Sequence, residues 1–266
     1  MSTFSFARAW AVCWKDLLDL RKNLALLGSM TALPAVLVVV PTLLLLAYTK
    51  DPHDPNLKVM AMYYDPTVPA ANAARFLIDK VLTDWFSVYL MMPIFVPILI
   101  SSHSVAGEKE KRTIEPLLAS PVTPLEIVVG KSLASLVPSL IICWIAFALL
   151  CVGVDFVTFA TVDQLLLPNS MWTFGVLVIA PLFAFFGNGI AVLISARVGD
   201  ARLAQQFSGL FVLPVVGLAG GQFAGFLKAG PGYYATLGAV VLCLDLLILL
   251  LSVRLFDRER LMTRWG

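Results

Sequence analysis

Apolar residues run along this chain in long blocks separated by short polar connections. Six blocks, at about 24–48, 85–106, 131–154, 172–195, 207–227 and 235–255, carry almost no charge. Each has the roughly 20 residues that a helix needs to cross the hydrocarbon core of a bilayer. Ahead of them, "FSFARAWAVCWKDLLDLRKN" spaces Phe6, Trp10, Cys13, Leu17, Leu20 and Leu24 at alternating steps of four and three. That rhythm predicts an amphipathic helix over residues 1–23 lying along a membrane surface, with Trp10 and Trp14 at headgroup level. A helix packed in a soluble setting is the alternative. Residues 51–84 form the longest connection. In it "DPHDPN" reads as a turn, "LKVMAMYY" as a short strand, and Ala74, Leu77, Ile78, Val81 and Leu82 keep helical spacing. A segment of this length makes a small cap or an interfacial helix and is too short for an independent domain. Pro34, Pro41, Pro93, Pro97, Pro138, Pro181 and Pro214 fall inside the blocks and are expected to kink them.

Composition sharpens this picture. The chain is 59% hydrophobic and 14% charged, with a mean hydropathy of +0.89, outside the range of soluble domains. The first apolar block begins only at Leu24 and is too long for the core of a signal peptide. The expected fold class is therefore an all-α integral membrane protein of six transmembrane helices, with 24–266 as the membrane domain. Lys and Arg set the orientation, because cytoplasmic loops collect them. With the N-terminus inside, 14 are cytoplasmic: Arg8, Lys15, Arg21, Lys22, Lys109, Lys111, Arg112, Lys131, Arg197, Arg202, Arg254, Arg258, Arg260 and Arg264. Only Lys50, Lys58, Arg75, Lys80 and Lys228, 5 in all, are external. Both termini are then cytoplasmic. A net charge of +2 gives no reason to expect a nucleic-acid partner. Cys13, Cys143, Cys151 and Cys243 have no metal-ligand spacing and read as small packing residues.

The least expected stretch is "GEKEKRTIEPLLASPVTPLEIVVGK", residues 107–131, where charge crowds between the second and third blocks. Thr113 is a suitable N-cap with Pro116 in the first turn after it, and Ile114, Leu117 and Leu118 share one face. Ser120-Pro121 ends that short helix, at about 113–119. Thr123, Pro124 and Glu126 then spell a capping box opening a second helix into the third block. A short capped helix with a charged outer face suits docking into a groove on a cytoplasmic partner. A surface helix that merely seals the bundle is the plainer reading.

The same stretch resembles the signature loop of type-2 ATP-binding-cassette (ABC) exporter permeases. The resemblance is carried by Gly107, Glu108, Glu110, Thr113, Ile114, Glu115, Leu117, Leu118, Pro121, Val122, Gly130 and Lys131. The ending "LFDRERLMTRWG" is similar, through Phe256, Arg258 and Glu259, to the sodium-extrusion (NatB-like) branch. Many members of that branch carry a large external domain after the first span, where this chain has only 51–84. The resemblance implies that the short helix is a coupling helix seated in a cleft of an ATPase subunit, through Glu108, Glu110, Thr113, Ile114, Glu115, Leu117 and Leu118. It further implies a bacterial cytoplasmic (inner) membrane exporter with two ABC ATPase subunits and a second permease, either a copy or a paralogue. ATP and Mg would be held by the ATPase, and this chain would bind no cofactor or metal and catalyse no reaction.

Other signals are weaker. "VVGKS" ends like a phosphate loop at Gly130, Lys131 and Ser132, but the glycine needed at 125 is Leu125. Around His103 the neighbours Ser101, Ser102 and Ser104 point in different directions on a helix and the stretch itself holds no acid, so a serine hydrolase is disfavoured. Asp245 is a carboxylate deep within the sixth block, a position that calls for a hydrogen-bond donor or a transport role. Asn188, between Gly187 and Gly189, and Gln222 are the candidate donors. Gly217, Gly221 and Gly225 recur at every fourth residue of the fifth block and permit close helix packing, within the subunit or across a dimer seam. The resemblance implies that two permeases meet chiefly through spans 2 and 5. Transport driven by an ion gradient through Asp245 is the rival function, and a non-transporting scaffold is a third.

Overall fold

The computed structural model describes residues 4–110, 122–228 and 230–262. Among them every regular element is helical: α1 (Phe6–Lys22), α2 (Leu24–Lys50), α3 (Pro55–Tyr64), α4 (Ala73–Tyr89), α5 (Met91–Glu110), α6 (Pro124–Val162), α7 (Ser170–Arg197), α8 (Ala201–Phe223) and α9 (Pro231–Met262). Six stretches are long and apolar enough to cross a membrane: α2, α4 with α5, α6, α7, α8 and α9. These are spans 1 to 6. They divide the connections between two faces, one bearing α1 and one opposite.

The spans are longer than apolar content alone indicates. Span 2 begins at Ala73, not near 85, because the charges that argued against it are absorbed. Lys80 and Asp84, one helical turn apart, pair at 2.6 Å, and Lys80 lies over the Tyr64 ring. Its two helices meet at Leu90, where Pro93 has no N–H to offer the carbonyl of Tyr89. Span 3 runs past 154 to Val162, and the carboxylate of Asp155 accepts from the backbone N–H groups of Leu166 and Leu167. Asp163 ends it in the left-handed region, φ 54°. "LKVMAMYY" is helical, not a strand. Asp54 caps α3 by accepting from Asn56 N at 2.8 Å, Pro55 opens its first turn, and Leu57 and Ala61 bury one face.

Span 2 is the axis of the bundle. Of its most apolar stretch 78% is buried, against 17% to 44% in the other five spans. The contact that admits it is made by three consecutive residues of α7. A Cβ on Gly187 would stand 2.4 Å from the backbone oxygen of Ile94, and one on Gly189 2.6 Å from Ile248 Cγ2. Between them Asn188 Oδ1 accepts from Ser101 Oγ at 2.7 Å and Ser135 Oγ at 2.6 Å. Residues 100° apart around one helix thus meet span 2, then spans 2 and 3, then span 6. Further toward the opposite face Phe86, Tyr89, Trp172 and Tyr234 make an aromatic cluster with edge contacts. Phe86 there fills the space beside Gly175, where span 4 opens into a π-helical turn over Gly175–Ile179.

Gly187→Ala is expected to lower the melting temperature of the detergent-solubilised protein, by overpacking against a backbone atom at a cost of about 1–3 kcal/mol. Gly209→Ala, with open space at its Cβ position, is the control. Equal melting temperatures for the two variants would contradict this packing.

Candidate functional site

The segment singled out by its charge pattern is flanked, on both sides, by the most elaborate polar contacts of the face bearing α1. Glu108 and Glu110 fall in the last turn of α5. Thr113, Ile114, Glu115, Leu117 and Leu118 lie outside the described residues, and so does the expected coupling helix at about 113–119.

Its C-terminal flank is the start of α6. Thr123 and Glu126 form the capping box that their spacing predicts: Glu126 N donates to Thr123 Oγ1 at 3.3 Å, and Thr123 N donates to Glu126 Oε2 at 2.8 Å. The same buried carboxylate reaches across to α1. It accepts from Ser5 N at 2.6 Å, and from Arg8 through Nε at 3.0 Å and Nη2 at 2.7 Å. A forked guanidinium on both oxygens fixes orientation as well as distance.

One turn further along α6, Gly130 lets α1 lie directly against the helix. A Cβ there would be 2.4 Å from the carbonyl oxygen of Ala9. Lys131 follows. Its Nζ donates to Asp16 Oδ2 at 3.2 Å and to both the backbone oxygen and the hydroxyl of Ser104 at 3.0 Å. Ser104 Oγ in turn donates to Asp16. The Asp16 and Lys131 side chains are only 8% and 6% exposed, so their charges need partners; the half-exposed Lys15 also reaches Asp16, at 3.6 Å. Ser104 belongs to α5, just before the segment, and Lys131 to α6, just after it. Asp16 of α1 joins the two. Burial, with Asp16 beside it, pushes the Cys13 thiol above its ordinary value, in keeping with a packing role.

The face of α1 turned to the bundle is therefore Ala9, Val12, Cys13 and Leu20, with Asp16 among them. This differs from the face expected from the spacing of Phe6, Trp10 and Cys13, since Phe6 and Trp10 point outward. Asp16 was legible in principle, because it shares a helical face with Val12, Cys13 and Leu20. An acid on that face signals a buried partner. Arg8 could not be matched to Glu126 from spacing, the two being 118 positions apart.

The remaining candidates are scattered. Asn188 serves Ser101 and Ser135, and no bond to Asp245 is found among the described residues. Asp245 lies one turn before Ile248 on span 6, half-buried, with Oδ2 unmatched by any hydrogen bond. Gln222 is fully buried at the far end of span 5, near the Tyr233 and Tyr234 side chains of span 6, and does not serve Asp245 either. The glycine row is shorter than its spacing indicates. Gly217 has open space beside it, and Gly221 meets only Leu227 of its own connection. Gly225 falls past the helix end, in a turn at φ 77° that needs glycine. Close packing of span 5 through this row inside the subunit is therefore not found among the described residues.

Residues 10–229 match the family described as ABC-2 family transporter protein. Comparison with curated proteins and with solved structures returned no match.

Asp16 and Lys131 make a direct test of the clasp. Lys131→Met removes the buried ion pair of Asp16 and leaves its carboxylate with the half-exposed Lys15, at 3.6 Å, and the Ser104 hydroxyl, so it is expected to destabilise the protein by about 1–3 kcal/mol. Adding Asp16→Asn removes the under-compensated charge and keeps an acceptor for Ser104, so the double variant should melt above the single one. A double variant that melts lower still would mean the two residues act independently.

Proposed function

The chain belongs to the ABC-2 transporter family, and from that premise we propose that this multi-pass membrane protein is the permease subunit of an ABC exporter. It works with separate ATPase subunits, as the family implies, in a bacterial cytoplasmic membrane with both termini inside. ATP and Mg are the ATPase's, and this chain supplies the path. Residues 108–118 are its contact with that motor. Glu108, Glu110 and Glu115 supply charge, Ile114, Leu117 and Leu118 the apolar anchor, and Thr113 the cap.

The observation that carries this reading is the clasp. A docking segment transmits force only if its ends are held. Here the end of α5 and the start of α6 are tied, through Ser104, Asp16, Lys131, Glu126 and Arg8, to one another and to α1. A push on the segment then moves spans 2 and 3 together, and span 2 is the axis of the bundle. Gly130 and Lys131, which close the signature motif, have physical roles that fit: one admits α1 and the other pairs with it.

A second permease, a copy or a paralogue, would meet this one along span 5. The open space beside Gly217 supports a seam there. Span 2 is largely enclosed by its own subunit and has less surface to give. A second reading, ion-gradient transport through Asp245, has one observation in its favour, the unmatched Oδ2 within span 6. Uptake into ATP-free vesicles driven by a gradient would support it.

Gentle purification from native membranes should bring down a stoichiometric ATPase chain. Glu115→Lys should abolish that association while leaving the permease in the membrane at its usual level. Retention of the ATPase and full transport in the variant would refute the proposed contact.

A further inference from the structure

On the face opposite α1, the first turns of span 2 and the connection from α6 to α7 bound a cavity of about 370 Å³. Its walls are held from several sides. Trp172, at the start of span 4, donates its Nε1–H to the Leu82 carbonyl at 3.2 Å and so ties span 4 to span 2 at the cavity wall. Asn169 caps the same turn by accepting from Trp172 N at 3.0 Å. Asp155 pins the connection by accepting from Leu166 N at 2.8 Å and Leu167 N at 3.1 Å. A cavity of this size, between fixed elements and with a few polar groups on its lining, has the dimensions of a small-molecule site.

The charge around it has one sign. Asp79 is the one charged side chain on the lining among the described residues, and its carboxylate makes no hydrogen bond or ion pair there. Arg75, one turn earlier on α4, is exposed, stands off the lining and does not pair with it. Lys80 is taken up by Asp84 and the Tyr64 ring. The connection itself adds Asp163 and holds no Lys or Arg. The cavity therefore favours a cation. Two further acceptors border it. Thr83 Oγ1 donates its proton to the backbone oxygen of Asp79 at 2.8 Å and keeps its lone pairs for an incoming donor. Gln164, exposed, offers its amide oxygen. A primary ammonium has three N–H donors for these three acceptors. A divalent metal ion would call for more oxygen ligands than one carboxylate and two neutral groups supply. An exposed carboxylate also holds a bare monovalent cation weakly. The remaining wall is apolar, through Leu82, Met171 and Leu165, the last of them 70% exposed. An occupant with an apolar stem covers that wall, and an inorganic ion does not.

We propose that this cavity binds a small alkylamine, its ammonium on Asp79, Thr83 and Gln164 and its stem against Leu82, Leu165 and Met171. A phosphatidylethanolamine headgroup fits less well, because its phosphate follows the ammonium by two carbons and would enter an acidic site. The site draws together span 2, the connection and span 4. It is independent of the exporter reading and of the ATPase contact, so either can fail alone.

The test uses the full chain in phosphatidylcholine nanodiscs with n-butylammonium as the probe, read by the broadening of its methyl proton resonance over that seen with empty nanodiscs. The unaltered protein should broaden the signal, and Asp79→Asn should reduce the effect severalfold. Because the Asp79 carboxylate has no partner to lose, this variant should melt with the unaltered protein, which separates lost binding from lost fold. Asp163→Asn, an acid of the same connection off the lining, should keep most of the broadening. Neutral n-butanol should show little beyond empty nanodiscs. Equal broadening by the unaltered protein and Asp79→Asn would overturn the proposal, and so would equal broadening of the amine and the alcohol. An equal loss in Asp163→Asn and Asp79→Asn would reduce the effect to general surface charge and overturn it as well. Phosphatidylethanolamine in the nanodiscs should leave the broadening unchanged, and its loss there would give the site to the lipid headgroup and refute the alkylamine assignment.

Discussion

A helix can occupy the centre of a membrane bundle only if its neighbours approach closely enough to replace lipid on every side. Here that condition is met at Gly187-Asn188-Gly189. The absence of a side chain at Gly187 brings span 4 onto the backbone of span 2 at Ile94, and at Gly189 it accommodates Ile248 of span 6. Asn188 then finds the hydroxyls of spans 2 and 3 within bonding distance. In an apolar medium the attraction between helices comes from close packing and from such bonds, since burying apolar surface gains little when the alternative is lipid. Four of the six spans are fixed relative to each other by these three residues, and the aromatic cluster beyond them fills what remains.

At the other end of span 2 the problem is different, because the chain leaves the bundle and must return at a defined place. Two charged contacts solve it in sequence. Glu126 begins span 3 by capping its own first turn and spends the rest of its carboxylate on Ser5 and Arg8. Lys131, one turn on, neutralises Asp16 and takes up the Ser104 carbonyl near the end of span 2. Both contacts draw on α1, which lies against the start of span 3. The position of this short helix is set by the same residues that set the return of the chain, and α1 is better regarded as part of the membrane domain than as an appendage to it.

Much of this was legible in the sequence, for definite reasons. Six spans follow from block length alone, and the capping box at Thr123 and Glu126 follows from local rules that span four residues. Three things were not legible. The start of span 2 at Ala73 is hidden because Lys80 and Asp84 count against a span one by one, whereas as a pair they do not. The inward face of α1 was assigned by its largest residues, but small ones, Ala9 and Cys13, are what a tight contact with Gly130 selects. Lys131 lies 115 positions from Asp16, and Ser5 lies 121 from Glu126, beyond any periodicity. Of the segment that most resembles a known family motif, residues 111–121 lie outside the described residues, and what holds its two ends carries the case for its role.

The π-helical turn at Gly175–Ile179 has a consequence for how span 4 is threaded. A π turn accommodates one residue more than an α turn of the same rise, which advances everything after it by about a quarter of the circumference. Trp172 before the turn and Asn188 after it nevertheless both point into the bundle. Had the helix been regular, the phase that buries Trp172 against Phe86 and Tyr89 would have carried the Gly187-Asn188-Gly189 triplet away from its three partners. The extra residue works as a phase adjuster between two recognition surfaces on one rod.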